Sequence, residues 1–143
     1  LNMVGQRVST DDLKRYLSDI LLRAIEIRDN LAGNQYKSLL KQAVDYIDKN
    51  FQREDISLNR VAKEVNISPN YLSAVFSQEM GTTFVEYLTA KRMEKARELL
   101  RNSDLRSGEI ATAVGYKDSH YFSYIFKKTQ GCSPKEFRSR GRG

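Results

Sequence analysis

Residues 56–88 read ISLNRVAKEVNISPNYLSAVFSQEMGTTFVEYL, and residues 105–138 read LRSGEIATAVGYKDSHYFSYIFKKTQGCSPKEFR. The second stretch restates the first. Val61-Ala62 answers Ile110-Ala111, Val65 answers Val114, Tyr71-Leu72-Ser73 answers Tyr121-Phe122-Ser123, Phe76 answers Phe126, Gly81 answers Gly131, and Tyr87 answers Phe137. The offset is 49 positions before the internal turn and 50 after it, so the second copy has one extra turn residue. Two copies of a short helix, a turn and a helix in a basic chain imply two DNA-reading units on one polypeptide.

Working outward, Ser57 is placed to cap a helix over Leu58–Val65, followed by the turn Asn66-Ile67-Ser68. Ser68-Pro69 opens the next helix, with serine at the cap and proline at the first position, and it runs to Gly81. Thr83-Phe84-Val85-Glu86 is a capping box, the arrangement that satisfies free amides at a helix start. It opens a helix to about Asn102, roughly 30 Å long at about 1.5 Å per residue. The second unit follows, with helices near Ser107–Val114 and Ser119–Gln130 around the turn Gly115-Tyr116-Lys117. Ser133-Pro134-Lys135-Glu136 opens a closing helix. On the N-terminal side, Leu13, Leu17, Ile20, Leu21, Ala24, Ile27 and Leu31 recur at helical spacing after Thr10, and Ala32-Gly33-Asn34 reads as a stop. A further helix spans Gln35 to Phe51. No stretch alternates with period two, so the fold class is all-α: two helix-turn-helix subdomains joined by a long linker helix, preceded by an extra N-terminal amphipathic helix.

The domain division is residues 1–37, a linker or dimerisation helix from a preceding regulatory domain, and residues 38–143, the double unit. Within the latter the first helix-turn-helix spans about 38–82, the linker helix about 83–102 and the second helix-turn-helix about 103–138. The apolar stripe within 11–31 needs a partner, either the rest of this chain or a second copy in a homodimer.

The chain has 143 residues and a net charge of +6. The excess is local: residues 117–143 carry 7 basic and 2 acidic groups, while residues 38–116 carry 11 of each. Such a patch suits a polyanion, because each neutralised phosphate releases counterions. A solubilising tail is the plainer reading of the arginines at its end. One cysteine, Cys132, and one histidine, His120, leave no cysteine-rich metal site and no nucleophile–base pair, so the chain reads as a non-enzyme that needs no cofactor. The single cysteine, which allows no internal disulfide, fits a cytoplasmic protein, and no apolar run reaches the roughly 18 residues of a membrane span, so no membrane partner is expected.

In the second helix of each unit the apolar residues lie on one side: Tyr71, Leu72, Val75, Phe76 and Met80 in the first, and Tyr121, Phe122, Ile125 and Phe126 in the second. The other side offers Asn70, Ser73, Ala74, Ser77 and Gln78 in the first copy. In the second it offers Ser119, His120, Ser123, Tyr124 and Lys127. These are the candidate base-reading residues, since a recognition helix needs a packed inner face and short polar or cationic groups on the outer one. Ser57, Asn59, Lys117, Lys128, Arg138 and Arg140 are the candidate phosphate contacts. A solvated helix face is the plain reading of any one of them alone. A linker of about 30 Å sets two heads about one DNA turn, roughly 34 Å, apart. Tandem copies imply direct repeats in the target rather than a palindrome within one monomer's site.

Residues 38–138 resemble the DNA-binding domain of the AraC/XylS family of transcription regulators. The resemblance rests on Ile110-Ala111, Val114-Gly115-Tyr116, Tyr121-Phe122-Ser123, Phe126-Lys127-Lys128, Gly131, Ser133-Pro134 and Phe137-Arg138. Tyr71-Leu72-Ser73 with Phe76, and Tyr87 to Leu100 containing Arg92, Ala96 and Leu99-Leu100, look most like the YesN-like response-regulator branch. The resemblance implies seven helices, double-stranded DNA as partner, RNA polymerase as a second partner, and output from a two-component system. It departs from the family's pattern at Ala74 and Tyr124, where arginine often follows the serine of each reading helix. With Ser77-Gln78 in the first helix where the second has Lys127-Lys128, the expected division is neutral polar readout by the first head and more charge from the second. Two other readings stay open: an all-α interaction or dimerisation module, and the output domain of a regulator that senses a small molecule.

Overall fold

A computed structural model describes the backbone over residues 10–142, and side chains over residues 10–20 and 35–141. Seven helices and no strands occur among the described residues: α1 (Thr10–Asn50), α2 (Leu58–Glu64), α3 (Pro69–Met80), α4 (Phe84–Asn102), α5 (Ser107–Ala113), α6 (Ser119–Gln130) and α7 (Pro134–Arg142). The chain divides into two units, Leu1–Ser38 and Leu39–Gly143.

In the first unit Leu13, Tyr16, Leu17 and Ile20 are all exposed. Leu21, Ala24, Ile27 and Leu31, the rest of the expected stripe, lie outside the described side chains. The backbone corrects one expectation: α1 does not stop at Ala32-Gly33-Asn34 but runs on to Asn50. A single interior glycine costs only about 1 kcal/mol, and without a proline or a left-handed residue after it the ladder of hydrogen bonds continues.

The second unit holds two cores. Ala43, Ile47, Val61, Ala62, Leu72, Phe76, Phe84 and Leu88 meet in the first. Met93, Ala96, Leu100, Ile110, Ala111, Val114, Tyr116, Phe122 and Phe126 form the second. Helix α4 therefore closes one core with its first turns and founds the other with its last.

The local signals explain the elements. Ser68 Oγ accepts from Tyr71 N at 3.1 Å. Thr83 Oγ1 accepts from Glu86 N at 3.1 Å while Thr83 N donates to Glu86 Oε1 at 2.9 Å, and Ser133 and Glu136 repeat the exchange at 3.1 and 3.0 Å. Gly81 (φ 70°) and Gly131 (φ 83°) end α3 and α6 in the left-handed conformation. These amide bonds hold the Glu86 and Glu136 carboxyls below the ordinary value of 4.5.

Candidate nucleic-acid interface

Helices α3 and α6 are presented by one turn geometry used twice. In the first turn Ile67 N donates to Ala62 O at 3.0 Å and Asn66 N to Lys63 O at 3.2 Å; in the second Tyr116 N donates to Ala111 O at 2.8 Å and Gly115 N to Thr112 O at 3.1 Å. Asn66 (φ 59°) and Gly115 (φ 108°) take the left-handed position. The caps that follow are Ser68 and Asp118, so the extra residue of the second copy is Lys117, inserted just before α6. It carries a charge into the turn, where its Nζ lies 3.7 Å from Glu54 Oε1.

Leu72 and Phe76 anchor α3, and Phe122 and Phe126 anchor α6, all within 1% of complete burial. Asn70, Ser73, Ala74, Ser77 and Gln78 are exposed on α3. Ser119, His120, Tyr124 and Lys127 are exposed on α6, and Ser123 is half-buried. The expected inner face of α6 needs one correction: Tyr121 is 52% exposed, not packed with Phe122 and Phe126. Its ring lies 5.9 Å from Tyr116 and 6.4 Å from Tyr124, so three tyrosines form a ladder from the turn onto the helix surface. Lys128 Nζ sits 5.8 Å from the Tyr124 ring centroid, which places its charge beside an apolar face.

The candidate phosphate contacts separate. Asn59, Lys117, Lys128 and Arg140 are exposed. Ser57 Oγ already accepts from Arg60 N at 3.1 Å, which leaves its hydroxyl hydrogen to donate. Arg138 is engaged elsewhere, because its guanidinium donates to Leu100 O and Ser103 O, each at 3.1 Å. Carbonyls at a helix C-terminus lack intrahelical donors, and a cation there also meets the negative end of the dipole. Arg138 therefore braces the end of α4 with its Nε and Nη2, and its remaining N–H donors are the ones left for a phosphate.

Sequence reasoning met Arg92 only as part of the family resemblance and gave it no role. It is 7% exposed, buried between the two cores on α4. Nε donates to Phe51 O at 2.8 Å and Nη2 to Arg53 O at 3.0 Å, and the guanidinium stacks 4.8 Å from the Tyr116 centroid. Burial lowers its pKa and raises that of Tyr116, each opposed by the other's presence. Nearby, burial and then a 2.8 Å bond donated to Asp48 push the Tyr87 hydroxyl up to about 12. Among the described residues no His, Cys, Asp and Glu group could hold a metal ion, and no helix is long and apolar enough to cross a membrane.

The family described as a helix-turn-helix domain matches residues 61–140. The chain is similar to the C-terminal domain of AraT, a response regulator from Geobacillus stearothermophilus, with 46% identity and a TM-score of 0.70 over 71% of this chain and 84% of that one. It is also similar to the C-terminal domain of the two-component response regulator yesN from Fusobacterium nucleatum, at 35% identity and a TM-score of 0.67 over 71% and 96%. The arabinose operon regulatory protein of Escherichia coli is 30% identical over 123 residues, 86% of this chain and 42% of that protein. The chain spans less than half the length of the curated relatives it matches. With its paired turns, separate cores and exposed polar helix faces, the chain belongs to the AraC/XylS family of transcription regulators, as a helix-turn-helix DNA-binding domain.

Proposed function

We propose that α3 and α6 enter successive major grooves of double-stranded DNA, and that this domain is the output end of a two-component response regulator. The observation that carries the first part is the repeat itself: two helices with buried aromatic anchors and exposed polar faces stand on two cores joined by α4. A recognition helix uses its solvent side for base edges. Asn70, Ser73, Ala74, Ser77 and Gln78 read one block, and Ser119, His120, Ser123, Tyr124 and Lys127 the other. Ser57, Asn59, Lys117, Lys128 and Arg140 hold phosphates. The response-regulator part draws on the likeness to AraT and yesN, which are response regulators.

The work is recognition and recruitment in the cytoplasm, without catalysis, and RNA polymerase is the expected protein partner. The exposed Leu13, Tyr16, Leu17 and Ile20 support a homodimer through residues 11–31, which would double the target. Selection of bound duplexes from a random-sequence library, followed by salt titration of the winner, tests the reading. Two enriched blocks about one turn apart, with affinity falling steeply in salt, are expected. No binding at low salt by the folded protein overturns it and leaves a helical interaction module.

A further inference from the structure

We infer that Arg92 is the positioning residue that fixes the separation and rotation of the two reading helices, so that the pair accepts one spacing of target blocks and rejects its neighbours. The inference rests on the reading that α3 and α6 both contact DNA.

At the repeat offset of 49, Arg92 answers Ala43 and Tyr116 answers Ile67. In the first helix-turn-helix both positions are apolar and serve its core: Ala43 is fully buried in it and Ile67 packs against that core. In the second helix-turn-helix the same two positions hold a cation and an aromatic ring stacked at 4.8 Å. A buried guanidinium is costly unless its donors are used. On the first helix-turn-helix its acceptors are the carbonyls of Phe51 and Arg53, at the start of the α1–α2 connection. Its other side meets the turn of the second. A Cβ on Gly115 would stand 2.8 Å from Nη2 and 2.9 Å from Nε of Arg92, so a side chain there would push the guanidinium off its present place. Tyr116, in turn, touches Tyr121 on α6.

One side chain thus grips a backbone segment of the first helix-turn-helix and the turn that aims the reading helix of the second. Rotation of one head about α4 must break two charge-assisted hydrogen bonds or the stack. Lys117 and Glu54 cross the same junction at the surface, but that pair is exposed and weakly held. A helix alone bends gently, whereas a helix with a buried bracket at its middle holds its two ends in one orientation.

The test is an affinity panel on the selected site in which the two blocks are moved apart or together by one and two base pairs. Each added pair shifts a block by roughly 3.4 Å and turns it by roughly 34°. Wild type is expected to lose about tenfold or more for one pair. Arg92→Lys keeps the charge and removes the fork; folded by circular dichroism, it is expected to lose less than about threefold for the same change. Its base preference within each block should persist. Tyr116→Leu serves as the second variant should Arg92→Lys not fold. A merely structural role lowers affinity equally at every spacing. That uniform loss, or a flat profile for wild type, overturns the inference while leaving DNA binding intact. Wild type that binds no duplex overturns both.

Discussion

The two helix-turn-helix units share a hydrogen-bond pattern and differ in what they do with it. Both use a left-handed turn residue, a capped reading helix, a glycine stop and a capping box. The first turn tolerates Asn66 at φ 59°; the second, at φ 108° and with the Arg92 guanidinium against it, calls for Gly115. The first reading helix carries Glu79 and no basic residue, whereas the second ends on Lys127 and Lys128. Backbone geometry was kept, and charge and junction contacts were made unequal. A repeat therefore specifies where two heads stand, while single substitutions away from the repeat decide how each head works and whether the two move independently.

The comparison can be broken first at the anchors. Phe76→Ala and Phe126→Ala each delete a fully buried ring and should cost about 3–5 kcal/mol in urea unfolding. A loss below about 1 kcal/mol in either would show that its core is not closed by that ring. Charge comes next. Lys127→Glu with Lys128→Glu should lower DNA affinity about 100-fold, against about tenfold for Ser77→Glu with Gln78→Glu. Equal losses in an anisotropy titration would contradict the unequal division of charge.

The turns sharpen the contrast further. Gly115→Ala should cost about 2 kcal/mol, from the positive φ and the guanidinium together, and Asn66→Ala about 1 kcal/mol. Thermal unfolding that ranks them the other way would contradict the greater demand for glycine in the second turn. The smallest effects belong to the caps. Thr83→Ala and Ser133→Ala should each cost about 1 kcal/mol. Their partners Glu86 and Glu136 have folded pKa values depressed below 4.5, so their contribution is fully present above that pH. It is lost as pH falls through the lowered values. Glu86→Gln and Glu136→Gln should flatten that acid limb of stability, and an unchanged limb would mean that other carboxyls govern it.

Much of this was legible in the chain. Ser68-Pro69, Thr83 with Glu86, and Ser133-Pro134 with Glu136 are local devices whose partners lie within three residues, so sequence spacing alone predicts them. The apolar spacing around Phe76 and Phe126 likewise defines two cores. What escaped depends on distant partners. Arg92 reaches carbonyls 39 and 41 residues away, and Arg138 reaches others 35 and 38 away; on a helical wheel each looks like a surface cation. Tyr121 follows the apolar spacing yet stands outside, because Tyr116 offers it a ring to lie against at the surface. Gly33 looked like a stop because glycine is common past helix ends, but its intrinsic cost is too small to end a helix by itself.

The central claim is that both units read DNA from one face. Hydroxyl-radical footprinting on the selected duplex tests it most directly, comparing wild type with the Lys127→Glu, Lys128→Glu protein at saturating concentration. Two protected patches about 10 base pairs apart are predicted, the one under α6 weakened in the variant and the one under α3 retained. A single patch, or two patches that fade together, would contradict it.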